Sequence, residues 1–82
     1  MGKKRKVKIV ERKLMRERAW GTFDESGLIE LDERLSESDR LTILCHEGAH
    51  LADNGLTEKQ VCRIGKILGG LLWNQGYRRV RQ

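Results

Sequence analysis

Nine residues near the middle of this chain, Ala52-Asp53-Asn54-Gly55-Leu56-Thr57-Glu58-Lys59-Gln60, hold both a helix stop and a helix start. Asn54-Gly55 is a stop because glycine takes the left-handed conformation that ends a helix without a side-chain clash. Thr57 and Gln60 match a capping box, in which each side chain satisfies a backbone N–H of the opening turn. So little connecting chain makes the flanking helices neighbours, able to fold back as a tight antiparallel pair. Ser36-Glu37-Ser38-Asp39 supplies the cap and the acidic first turn of the upstream helix, which is expected to run to about Ala52. Downstream, Val61, Ile64, Ile67, Leu68, Leu71 and Leu72 recur at helical spacing. Gly69-Gly70 either weakens that second helix or lets another backbone come close.

Before the helices the pattern changes period. Val7 to Met15 is rich in β-branched residues and alternates weakly, which predicts a strand. Trp20, Thr22 and Phe23 precede a DESG turn, and Leu28, Ile29 and Leu31 follow it, which predicts a hairpin. The expected fold class is α+β: a small antiparallel sheet of two or three strands packed on two helices, the first carrying residues 46–50. Eighty-two residues allow one small domain, expected over residues 7–77, between a basic arm (1–6) and a basic tail (78–82). A core this small is marginal, so a bound metal or partner would add to its stability.

Charge is segregated along the chain. Residues 1–18 carry a net +7, residues 19–60 a net −7 and residues 61–82 a net +5. The basic ends are therefore expected to make at most weak, sequence-independent contact with nucleic-acid phosphates. Only four aromatic residues outside histidine, Trp20, Phe23, Trp73 and Tyr77, are available for stacking on bases, which disfavours single-strand recognition. No secretory signal or membrane-spanning run is visible, and Cys45 and Cys62 form no CxxC pair. Reduced thiols in a cytoplasmic setting, with no membrane partner, are the expectation.

Both histidines of the chain lie in the sequence His46-Glu47-Gly48-Ala49-His50. On a helix, residues four apart lie one turn above each other, so His46 and His50 share a face. Glu47 sits about 100° round from His46, while Leu41, Leu44, Cys45, Leu51 and Ala52 fall on the opposite side, where they can pack on the core. Two histidines and a glutamate meet in this order by chance in about 0.2 % of chains of this composition, so coincidence explains the signature poorly. Two neutral imidazoles at this spacing suit one Zn2+ ion per chain, with room for a third protein ligand and a water. Glu47, beside the metal rather than on it, has the position of a general base. Three residues qualify as the third ligand. Asp53 shares the histidine face, Glu58 opens the next helix, and Cys62 lies one turn further along that helix.

The segment from Gly27 to Leu72 resembles the metallopeptidase core of the ImmA/IrrE type, in particular its short phage and prophage members. The likeness rests on Leu28-Ile29-Glu30-Leu31-Asp32 as the strand, on Ile43-Leu44-Cys45-His46-Glu47-Gly48-Ala49-His50 as the first helix, and on Glu58, Val61, Ile64, Gly65 and Leu68 in step along the second. The interval from His50 to Glu58 is short for that pattern, Gly65 stands where it has alanine, and no extra helix precedes the sheet. The resemblance implies a zincin-like fold, a bacterial or phage-infected host cell, and Glu58 as the ligand that joins His46 and His50.

The expected function is a small zinc-dependent metallopeptidase, a hydrolase acting on an unknown protein or peptide with Glu47 as base. Tyr77 and the tail arginines are the available oxyanion partners. The competing expectation is a non-catalytic basic protein that binds nucleic acid or protein and keeps a structural or vestigial metal site. Nothing in the sequence fixes the oligomeric state.

Overall fold

The computed structural model describes residues 6–14 and 20–80. Most of the basic arm, Met15 of the first expected strand and residues 81–82 of the tail lie outside the described residues. Five elements follow in order: β1 (Lys8–Arg12), β2 (Gly21–Asp24), β3 (Leu28–Asp32), α1 (Glu37–Ala52) and α2 (Glu58–Asn74). The class is α+β, a three-stranded sheet packed against a helical pair, with α1 making the direct contact and α2 laid on α1.

The hairpin forms where the turn residues dictate. Asp24 accepts the Ser26 N–H on its side chain and the Gly27 N–H on its carbonyl, and Gly27 takes the positive φ of 109° that closes the turn. Its register sets Gly21 opposite Leu31 and Phe23 opposite Ile29. Because strand side chains alternate, Gly21 and Phe23 share the face of the fully buried Ile29 and Leu31, turned towards α1.

The sheet is mixed, not wholly antiparallel. The strand order is β1-β3-β2, and β1 runs parallel to β3, Ile9 against Ile29. The tight Asp24–Gly27 turn gives β2 one edge of β3, which leaves the other edge to β1, and pairing there starts with the Lys8 N–H on the Gly27 carbonyl. Asp32, at the end of β3, bonds Leu14 just after β1 and Trp20 just before β2. Its backbone N–H donates to the Trp20 carbonyl at 2.9 Å, and its carboxylate accepts the Leu14 N–H at 3.1 Å. The same carboxylate takes the backbone N–H and the guanidinium of Arg34, the latter at 2.6 and 2.8 Å. At 2 % exposure Asp32 is nearly sealed, so its charge persists only through these four donors.

Local capping fixes the helices. Ser36 caps α1 by accepting the Asp39 N–H, and Thr57 and Gln60 form the reciprocal box on α2. The end of α1 differs from expectation. Asp53, not Gly55, terminates it, in extended conformation (φ −154°), and its carboxylate holds the Gly55 N–H at 2.9 Å. The Asp53 N–H still reaches the Ala49 carbonyl, while its carboxylate holds the turn that follows. The left-handed glycine appears after α2 instead, at Gly76 (φ 85°).

Sandwiching also redistributes burial on α1. Its buried residues are Glu47 and Ala49, while Leu41, Leu44, Cys45 and Leu51 are half-buried and Ala52 is exposed. The sectors facing β2 and α2 are covered, and part of the apolar back is not. At the other end of α1, Glu11 of β1 is bridged to Arg40 and to Arg79, and Arg79 also reaches Glu37 at 2.7 Å. The guanidiniums of Arg79 and then Arg40 hold the Glu11 carboxyl below its ordinary range. No helix is long and apolar enough to cross a membrane among the described residues.

Asp32 gives the fold a defined acid sensitivity. Arg34 and the backbone donors hold its carboxyl well below the usual carboxylate range. A folded-state pKa below the unfolded value of about 3.9 stabilises the native state fully above that value, and the stabilisation is lost as pH falls through the folded one. Asp32→Asn is therefore expected to be less stable than wild type at pH 7 in urea titrations. The gap between the two proteins should narrow as pH drops below about 4.

Candidate metal centre

His46 and His50, one turn apart on α1, turn their Nε2 atoms to a single carboxylate, that of Glu58 at the first position of α2. The distances are 3.0 Å from His46 Nε2 to Glu58 Oε2 and 3.0 Å from His50 Nε2 to Glu58 Oε1. One ligand atom from each residue lies within 4.8 Å of the others. Nitrogen and oxygen ligands at about 2.1 Å from a tetrahedral zinc ion lie about 3.4 Å apart, so the widest of these separations would have to close by up to about 1.4 Å for the three atoms to share one. Two imidazoles and a carboxylate are also a donor set that zinc accepts. The residues fit the ion.

The histidines are shielded and the glutamate is open. Their side chains are 15 % and 16 % exposed against 68 % for Glu58, so the cluster is reached from the α2 side. Each ring has a fixed plane. Phe23 of β2 stacks on His50 with centroids 4.8 Å apart and planes 10° apart, and the His46 ring meets His50 nearly edge-on at 5.1 Å.

Two glycines on α2 bring Glu58 to this position. A Cβ on Gly69 would lie 2.7 Å from Thr42 Cα, and one on Gly65 would lie 2.9 Å from the Thr42 carbonyl and 3.0 Å from His46 Cβ. The α2 backbone therefore runs directly against α1 beside His46. The short connection after His50 then suffices for Glu58 to span both rings. Gly65, a departure from the alanine of the resembling pattern, is required by this contact.

Glu47 stands beside the cluster and outside it. It is 7 % exposed and shares a small hollow with His46, Glu58, Trp20, Gly21 and Ile43. Burial pushes its carboxyl above the ordinary range; the charge of His46 and His50 acts in the opposite direction, and Glu58 adds to the rise. Gly21 leaves the space it occupies, since a Cβ there would lie 3.3 Å from Glu47 Oε2 and 2.6 Å from Ile43 Cγ2.

Of the other ligand candidates, Asp53 is engaged with Gly55 and faces a separate polar hollow beyond His50 with Glu25 and Asn54. Cys62 lies behind Glu58, its Sγ 3.9 Å from Oε2. Neither belongs to the converging group. Arg78 stacks on Trp73 at 3.3 Å and donates to two backbone carbonyls, Arg79 is held by Glu11 and Glu37, and Tyr77 is exposed. None of the three lines the hollow that holds Glu47. Sequence reasoning missed Phe23 and Gly21. Their signal was the alternation of β2, which puts both on the inward face.

Comparison with protein-family models, with curated proteins and with solved structures produced no match.

The glycine contact makes a paired prediction. Gly69→Ala should lower the melting temperature, because backbone blocks its methyl, whereas Gly70→Ala, whose methyl meets nothing within 4 Å, should raise stability by about 0.5–1 kcal/mol through helix propensity. Thermal unfolding of the two variants beside wild type checks both signs.

Proposed function

We propose that this chain is a minimal zinc-dependent peptidase, with His46, His50 and Glu58 as the metal ligands and Glu47 as the general base. One observation carries the reading: two imidazoles and the Glu58 carboxylate converge while a second, buried carboxylate lies beside them and outside their set. A structural zinc site is closed by four protein ligands; three leave a position for water or substrate. When bound, zinc supplies Lewis acidity, which polarises an amide carbonyl and brings the pKa of water to roughly 7.

The remaining work falls to the chain's own groups. Glu47, with its carboxyl set above the ordinary range by burial, accepts the proton of the attacking water and returns it to the leaving amine nitrogen. Its fixed neighbours, Gly21 and Ile43, confine the carboxylate to one place and limit water around it. Phe23 holds the His50 ring against rotation. Glu58, reached from solvent, leaves the approach open to an extended peptide segment.

Elemental analysis of protein purified without chelator should find one zinc per chain, abolished in His46→Ala and reduced at least tenfold in affinity in Glu58→Ala. Glu47→Gln should keep the metal and lose hydrolysis of an unbiased peptide library by at least a hundredfold. A wild-type protein that binds no zinc and gains no thermal stability from it would sink this proposal. Zinc bound by wild type and Glu47→Gln and lost in His46→Ala, with no turnover by wild type, would leave a non-catalytic site.

A further inference from the structure

Trp20 and Ile43, which line the hollow that holds Glu47, also line a neighbouring cavity of about 310 Å3 walled by Leu35, Ser36 and Thr42, with Arg34 and Asp39 exposed at its margin. From the geometry we infer that this cavity is the recognition subsite of the proposed peptidase, taking one large apolar side chain of the peptide beside the bond that is cut. The inference rests on the metallopeptidase reading and adds its substrate class.

Three observations support it. The first is adjacency: Trp20 and Ile43 border both the Glu47 hollow and the cavity, so a peptide bond placed beside Glu47 has a neighbouring side chain within reach of it. The second is size and chemistry. A volume near 310 Å3 is at the lower limit for a ligand pocket, enough for a phenyl or isobutyl group with its backbone and too small for a folded partner. Its walls are an indole, two aliphatic chains, a threonine and a serine, and the strongest available gain there is apolar burial.

The third is that the wall is built. Trp20 is 51 % exposed, yet it is held from two sides. Its carbonyl accepts the Asp32 N–H, and the Arg34 guanidinium lies 5.7 Å from its ring centroid while bound to the buried Asp32 carboxylate. The first contact fixes the backbone at Trp20, and the second, on the ring itself, removes part of the rotamer freedom that binding would otherwise cost. The hollow on the far side of the histidines offers the reverse chemistry, with Glu25, Asp53 and Asn54. The apolar preference is therefore one-sided.

Hydroxamates separate the two levels of the inference, because the chelating head reports the metal and the substituent reports the cavity. Acetohydroxamate, 4-methylpentanohydroxamate and 3-phenylpropanohydroxamate would be titrated by calorimetry into the zinc-loaded full chain. The two larger compounds are expected to bind about tenfold or more tightly than acetohydroxamate. In Trp20→Ala that gain should vanish while acetohydroxamate binds as before, and Trp20→Phe should restore most of it. Equal binding of all three compounds to wild type, or a gain that survives Trp20→Ala, would overturn the subsite and leave the metal centre standing. Failure of all three to bind zinc-loaded protein overturns both.

Discussion

The contact of Gly65 and Gly69 with Thr42 and His46 is the constraint from which the rest of the site follows. Two helices with ordinary side chains at their interface lie 8–10 Å apart. Here the missing Cβ atoms let α2 come closer, and they do so beside the first histidine. Among the described elements α2 packs on α1 and on no strand, so this contact is what carries Glu58 to the histidines. The position of the Glu58 carboxylate is thereby delegated to two residues that carry no chemistry. The entropy cost of two glycines in a helix, roughly 1 kcal/mol each, is offset by the packing they allow. Val61, fully buried one turn into α2, supplies apolar burial at the same interface.

A second centre organises the sheet end of the molecule. The buried Asp32 carboxylate gathers Leu14 and Arg34, and its backbone N–H gathers Trp20, so one residue at the end of β3 holds the chain just after β1 and just before β2. With β1 paired in parallel on one edge of β3, β2 holds the other edge, beside α1's histidine face. Only because β2 is there can Phe23 stack on His50 and Gly21 open space for Glu47. Topology and site are thus joined through one carboxylate that is not part of the site.

The parts of this structure that could be read in the sequence are those set by neighbours along the chain. The Ser36 and Thr57 caps, the DESG turn and the facing of His46 and His50 depend on residues within one turn of each other. The α+β class followed from these. What could not be read was non-local. The parallel pairing of Ile9 with Ile29 and the Asp32 bonds to Leu14 and Trp20 beside it join residues far apart in the chain, and no periodicity announces either. Three residues were open as partners of the histidines, and only the depth of the α1–α2 contact brings Glu58, not Asp53 or Cys62, to them. Gly69-Gly70 carried two meanings in the sequence. The structure divides them, with Gly69 against Thr42 and Gly70 facing open space.

The separation of Glu47 from the ligand set is where geometry bears most on chemistry. A helix that offers two side chains one turn apart turns the residue after the first about a quarter-circle away. In a helix on the surface that residue would face water, and its carboxyl would titrate as an ordinary acid. Here α1 is covered by β2 on that side, so the same quarter-turn buries Glu47 against Gly21 and Ile43. Desolvation then favours the proton-bearing form, while the imidazoles nearby favour the charged one. A carboxyl held between these opposed influences is suited to taking up and giving back a proton within one cycle. On the proposed reading, the sheet's contribution to catalysis is this partial burial, and β2 contributes it with a residue that has no side chain.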